Sequence, residues 1–356
     1  MERLPAFVIA YSDSSFTNPH EVVLPDEPPD SSGEFTHMGA RYWGFETARH
    51  RATSLREDSD AFRFDDTSYH WLHLGLDAPG TVDTITVSTR WFTGNQVPAI
   101  SISLIDGHNT IEVLARTPLQ PDRDHQFQFE ATHAEECLIR CFHEGGISRI
   151  NLFGETDPQS AARQNLLRAA TISHVSNEHY GTPADAVAGE RQVDYMFGWE
   201  SARAGFGEQA LFHLDGSATI DEIIVDTYLH RLNAPLSCHV FGINEPDPSL
   251  IDEKMQMKPA WILEFDDGTQ VRPESFRAYM QERRYLEEPV SNPAGFDIRM
   301  VNDQPELWHP LISFGRLRPD TWHRFRQMEF SGEVTHLLYI HYPNGGIHGL
   351  KVFGVQ

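Results

Sequence analysis

Two short segments repeat a carboxylate and a guanidinium at one spacing. "YWGFETARH" (42–50) carries Glu46 and Arg49, and "MFGWESARA" (196–204) carries Glu200 and Arg203. Each glutamate stands among aromatic residues, where desolvation raises a carboxylate's pKa and suits it to acid–base work. A structural salt bridge to the arginine three residues on is the other reading, because buried carboxylates serve both ends. His125 and His323 each follow a Pro-Asp step and precede an aromatic strand. An imidazole there suits a general base, or else ties its loop to backbone. Asp226 interrupts the apolar run "IIVDTYL". Burying it unpaired would be costly, so it needs a partner, either a substrate or an arginine. Thr227 follows it, Thr89 holds the matching place earlier in the chain, and Asn95 and Asn233 end the same two segments. Those asparagines suit either an amide-like ligand or a turn.

Other chemistries have no support. The 19 histidines are scattered, with no HExxH or Cys-x-x-Cys spacing, so no metal site is expected. His70 and His73 in "YHWLHL" are three apart in an expected strand and face opposite sides. There is no phosphate-cradling glycine loop and no Gly-x-Ser-x-Gly elbow, so no cofactor is expected either. A formal net charge of −24 disfavours nucleic acid or an anionic membrane surface as partner and leaves a small molecule. The sequence does not fix the oligomeric state, and a homo-oligomer is compatible with it.

The elements that must position these residues come in two copies. "VIAYSDSSF" (8–16) matches "ISHVSNEHY" (172–180), and the two Glu–Arg segments match each other. "VDTITVSTRWFTGN" (82–95) matches "IDEIIVDTYLHRLN" (220–233), and "TPLQPDRDHQFQF" (117–129) matches "GRLRPDTWHRFRQ" (315–327). "HEGGISRINLFG" (143–154) and "YPNGGIHGLKVFG" (342–354) close the halves. The order is the same twice, which indicates a duplicated module. Most of these segments alternate or run apolar over strand lengths and are rich in β-branched and aromatic residues. The expected fold is all-β: two jelly-roll-like antiparallel β-sandwiches, at 1–158 and 159–356, with an insertion near 245–300. Helix is expected only in "SAARQNLLRAA" (160–170) and "PESFRAYMQERRYLEE" (273–288).

No run approaches the roughly 18 apolar residues of a membrane span, and the first residues lack a signal-peptide core. Cys137 and Cys141 lie four residues apart in an expected strand, roughly 13 Å, too far for a disulfide. Reduced core thiols and a cytoplasmic setting follow.

Taken together, "WGFETAR", "FGWESAR", Val225-Asp226-Thr227, "FTGN" (92–95), "RPDTWHRF" (318–325) and the two Gly-Gly-Ile closings resemble the allantoicase family. The resemblance spans nearly the whole chain apart from 245–300. It implies two related β-sandwich repeats and hydrolysis of allantoate to ureidoglycolate and urea, a step of purine degradation. Such a site must hold a carboxylate, for which arginine is best suited, move a proton, and satisfy the ureido N–H and C=O groups. The departures are specific. Ala48 and Ala202 stand where the family has the first of two arginines, and Ser88 where it has aspartate. Leu232 stands opposite Gly94, and Gly349 opposite Arg149. If the substrate is anionic, Arg49, Arg149 and Arg203 are the candidate cations, with acid–base work from Glu46, Glu200, Asp226, His125 or His323. One composite site drawing on both repeats is the expectation. Two other functions remain open: the same fold turned to a non-hydrolytic reaction on a small molecule, such as a cyclase or isomerase, or a non-catalytic binding module.

Overall fold

The computed structural model describes residues 2–15, 17–37, 39–157, 163–192, 197–203, 207–247, 260–266, 268, 270–271 and 296–356. The chain divides into two compact units, Met1–Arg163 and Gln164–Gln356. Both are built almost wholly of antiparallel strands.

In the first unit the strand Tyr69–Ser88 changes partners halfway along. Its first half lies between Ala6–Tyr11 and the end of Asp124–Phe142, in register Val8↔Leu74 and Cys137↔Leu74. Its second half lies between Arg149–Thr156 and the start of Asp124–Phe142, in register Ile150↔Val87 and His125↔Val87. Gly80 sits at the change, where an added Cβ would meet the Glu155 carbonyl at 2.6 Å. Side chains of both halves enter one core, with Leu72, Leu74 and Leu76 from one and Ile85 and Val87 from the other. Ile100, Ile102, Ile139, Ile150 and Leu152 close it. Apolar alternation along each strand is what makes this sandwich.

The second unit repeats the plan. Glu208–Asp226 lies first between Thr171–Val175 and Glu333–Tyr342, then between Gly349–Val355 and Trp322–Phe325. The single strand Asp124–Phe142 of the first unit is here two, Trp322–Phe325 and Glu333–Tyr342. The described part of the insertion is a three-stranded antiparallel sheet of Ala260–Phe265, Gln270–Val271 and Phe296–Val301.

Among the described residues, helix lies elsewhere than expected. In the stretch 160–170 the described residues form only a 3-10 turn, Leu166–Arg168, capped by the Asn165 side chain. The stretch 273–288 lies outside the described residues. The first unit has a 3-10 turn, Pro19–Val23, where the second has the α-helix of the described residues, Pro183–Ala188. Thr182 and Asp185 make a reciprocal capping box there, with proline in the first turn, a local signal strong enough for six residues. No helix of the described residues is long and apolar enough to cross a membrane. Cys137, Cys141 and Cys238 are free and buried.

Candidate active site

Each Gly-Gly-Ile turn brings a short strand against its glutamate. Gly146 pairs with Glu46 and Ile147 with Phe45. Gly346 pairs with Glu200 and Ile347 with Trp199. The backbone N–H of Gly146 donates to the Asn95 carbonyl at 2.8 Å, and that of Gly346 to the Asn233 carbonyl at 2.9 Å. Glycine is needed at the second position because a ring lies on it. A Cβ at Gly146 would come within 2.0 Å of the Phe92 ring, and one at Gly346 within 2.1 Å of the His230 ring. Glutamate, asparagine and the residue three before the asparagine therefore all meet the second glycine of the turn, in both units.

In the first unit Glu46 is buried, and Asn95 Nδ2 donates to its Oε1 at 3.4 Å. Its Oε2 is buried with no hydrogen-bond partner. Burial pushes the carboxyl's pKa up, against the smaller opposing effects of Asn95 and Arg49. Arg49 is exposed. The Tyr42 ring stacks on Phe92 at 4.9 Å.

The second unit places imidazoles at the matching positions. His230, in the place of Phe92, is buried. Its Nδ1 lies 3.3 Å from Asn233 Oδ1, and its Nε2 is buried without a partner. Burial lowers its pKa, while the charge of Glu200 works the other way. His341 takes the place of Cys141, its ring 4.8 Å from that of Trp199 and 5.9 Å from that of Tyr339. Both of its nitrogens are buried without a partner, and burial, then the neighbouring His230, pushes its pKa down to about 3. His348 takes the place of Ser148. Its backbone N–H donates to the Asp226 carbonyl at 2.8 Å, as that of Ser148 does to Ser88.

Asp226 finds its partner in Arg191. The contact is bidentate, Nε to Oδ2 and Nη2 to Oδ1, both at 2.8 Å. The Arg191 guanidinium also lies over the rings of Tyr228 and Trp322, at 4.8 and 5.3 Å. The first unit closes the matching loop with reversed charges. Arg149 bonds Glu27 at 2.7 Å and the carbonyls of Pro25 and Asp26. Glu27 and Arg191 correspond because each stands eight residues after the proline that opens the matching turn, Pro19 and Pro183. Beside them Trp91 Nε1 donates to the Pro28 carbonyl, and the Tyr228 hydroxyl to the Gln192 carbonyl, both at 2.9 Å. Gly349, opposite Asp226 in register, leaves room for the aspartate, since a Cβ there would sit 3.1 Å from Asp226 Cβ.

Other candidates hold the scaffold. Thr89 Oγ1 donates to the carbonyls of Gln120 and Arg123, and Thr227 Oγ1 to those of Arg318 and Thr321. His125 Nε2 accepts from the Gln120 N–H, and His323 Nε2 from the Arg318 N–H, at 3.2 and 2.8 Å. His323 Nδ1 also donates to the Val225 carbonyl at 3.0 Å. These histidines tie their loops to backbone. Arg203, like Arg49, is exposed. The structure therefore gathers Glu46 with Asn95 and Arg49, and Glu200 with Asn233 through His230. Arg191, His230, His341 and His348 were not among the sequence candidates. Aligning the repeats position by position shows the three histidines, each opposite a residue that does not titrate as one.

A family model described as the allantoicase repeat matches residues 1–157 and again 164–356. The chain belongs to the allantoicase family. Among curated allantoicase relatives, a probable allantoicase of Pseudomonas paraeruginosa is 24% identical over 99% of this chain and 93% of its own length. The allantoicase of Neurospora crassa is 27% identical over 97% of this chain and 87% of its own. The crystal structure of Saccharomyces cerevisiae allantoicase covers 98% of this chain and 90% of its own, at 20% identity and a TM-score of 0.35. By family, the chain is an allantoicase-like hydrolase.

Proposed function

We propose that the second unit hydrolyses a C–N bond of allantoate or a related ureido substrate, with His230 as the proton-transfer group and Glu200 as its electrostatic partner. The observation that carries this is the buried His230, which feels the charge of Glu200, together with the buried His341 and His348, where the first unit has Phe92, Cys141 and Ser148. With its ring proton on Nδ1, donated to Asn233 Oδ1, His230 keeps a lone pair on Nε2. Burial favours that neutral form. In the proposed step a water oxygen bonds to the carbon that bears the ureido nitrogen, and the C–N bond breaks. His230 removes the water proton and delivers it to the departing nitrogen, so urea leaves neutral. Glu200 stabilises the transient imidazolium, as a carboxylate does beside a catalytic histidine. Arg203, three residues after Glu200, is the candidate for the substrate carboxylate. Asn233 is the candidate for the ureido carbonyl, through its amide N–H. Asp226, locked to Arg191, shapes the wall rather than moving protons. A cytoplasmic setting belongs to the same reading, supported by three buried free thiols.

The test is purified full-length chain with allantoate. Urea should appear in step with allantoate loss, and should cease in His230→Phe. Substrate left intact with no urea released would end this reading in favour of a non-hydrolytic reaction or a binding module.

A further inference from the structure

We propose that the first unit is a second binding site, without turnover, for a carboxylate joined to a ureido group. The ligand class rests on the function proposed above; the existence of the site rests on the first unit's own residues.

Glu46 and Arg49 repeat Glu200 and Arg203 in type and spacing, Asn95 repeats Asn233 in type, and the two glutamates lie on strands paired in the same register. Phe92, Cys141 and Ser148 show that the first unit does without the imidazoles. It nevertheless keeps a glutamate that is only 6% exposed. One oxygen of that glutamate has the long 3.4 Å contact to Asn95, and the other is buried with no partner at all. A well-packed core would not retain such a group for stability, since a buried polar atom without a partner is costly. The group reads as half of a recognition pair. A protonated carboxyl offers one O–H donor and one C=O acceptor side by side. A ureido group offers the complement, one C=O and one N–H. Burial favours that protonated form of Glu46.

The opposite charge is also at hand. Arg49 is exposed, makes no hydrogen bond or ion pair among the described residues, and its charge is felt at Glu46. It suits the carboxylate end of the same ligand, through the guanidinium fork. Tyr42, stacked on the Phe92 ring that covers Gly146, supplies an apolar wall. With Phe92 in place of a base, such a site binds and does not hydrolyse.

Equilibrium dialysis of the full chain against labelled N-carbamoylglycine tests this. That probe has a carboxylate and one ureido group, and lacks the second ureido group of allantoate. Two molecules should bind per chain. The double variant Glu200→Ala/Arg203→Ala should retain one. Adding Glu46→Ala or Arg49→Ala should weaken the remaining site about tenfold or more. Adding Glu46→Gln, which keeps a neutral donor and acceptor, should leave the site largely intact. Circular dichroism checks folding, and exposed Arg49 serves if Glu46→Ala does not fold. One molecule per chain, no binding, or a remaining site indifferent to both Glu46→Ala and Arg49→Ala would overturn the inference. So would allantoate turnover that survives in the double variant and vanishes on Arg49→Ala, since the first unit would then be catalytic. Two bound molecules with no urea released from allantoate would sink the function proposed above and leave this one standing.

Discussion

The two units share a strand plan, a Gly-Gly-Ile turn and a glutamate, and differ in what surrounds that glutamate. Around Glu46 lie Asn95 and the Phe92 ring. Around Glu200 lie His230 and, next to it, His341. A duplicated fold thus acts as its own control, because every position where the second unit has an imidazole shows what the scaffold accepts without one. The ion pairs make the same point. Arg149 with Glu27 and Asp226 with Arg191 fasten the same loop in opposite polarity. The polarity therefore is not dictated by the fold, and it changes what faces each site. The second pair is also deeper. The side chains of Asp226 and Arg191 are 2% and 15% exposed, whereas Glu27 is 71% exposed.

The sharpest way to break the comparison is His230→Phe, which writes the first unit's residue into the second. Turnover of allantoate should fall by roughly 10²–10⁴, the usual share of a general acid–base group, with the circular dichroism spectrum unchanged. Retained turnover would mean that the imidazole is not what separates the units. Next in size is Asp226→Ala. It strands a buried guanidinium and should cost about 3–5 kcal/mol in urea denaturation.

A smaller effect should appear on acidification. His341 stays neutral in the folded chain down to about pH 3, against an ordinary value of 6.5. Between those values the unfolded chain binds the extra proton, so stability is lost as pH falls from 6.5 toward 3. At pH 5 this amounts to roughly 2 kcal/mol, and His341→Cys, the first unit's choice, should flatten that part of the profile. An unchanged slope of stability against pH would show that His341 is protonated in the fold after all. The smallest effect belongs to Glu27→Ala. Its ion pair reaches a largely exposed carboxylate, and the loss should be at most about 1 kcal/mol. A loss as large as that of Asp226→Ala would erase the distinction between the two clamps.

Much of the fold was legible because the information is local. Strand alternation, turn glycines and five ordered landmarks are properties of neighbouring residues, and duplication prints them twice. The demand that Asp226 have a partner was also legible, since a carboxylate in an apolar run has no cheaper solution. Local reading misled at 163–170, the described part of 160–170, where a helix-like composition of alanine and leucine yields only the turn Leu166–Arg168. Too few residues there propagate a helix to overcome the cost of nucleating one.

What the sequence by itself determined is the all-β plan, the repeat and the family's residues at Glu46 and Glu200. Only the tertiary structure decided their surroundings. Arg191 lies 35 residues before Asp226, and Asn233 more than a hundred before Gly346. The backbone bonds that hold His125 and His323 likewise depend on where the turns beside them fold back, Arg318 onto His323 and Gln120 onto His125. A strand pattern dictates which face a side chain takes. It does not dictate which distant segment lies against that face, because that follows from sheet order and register, and these are set by the packing of the whole core.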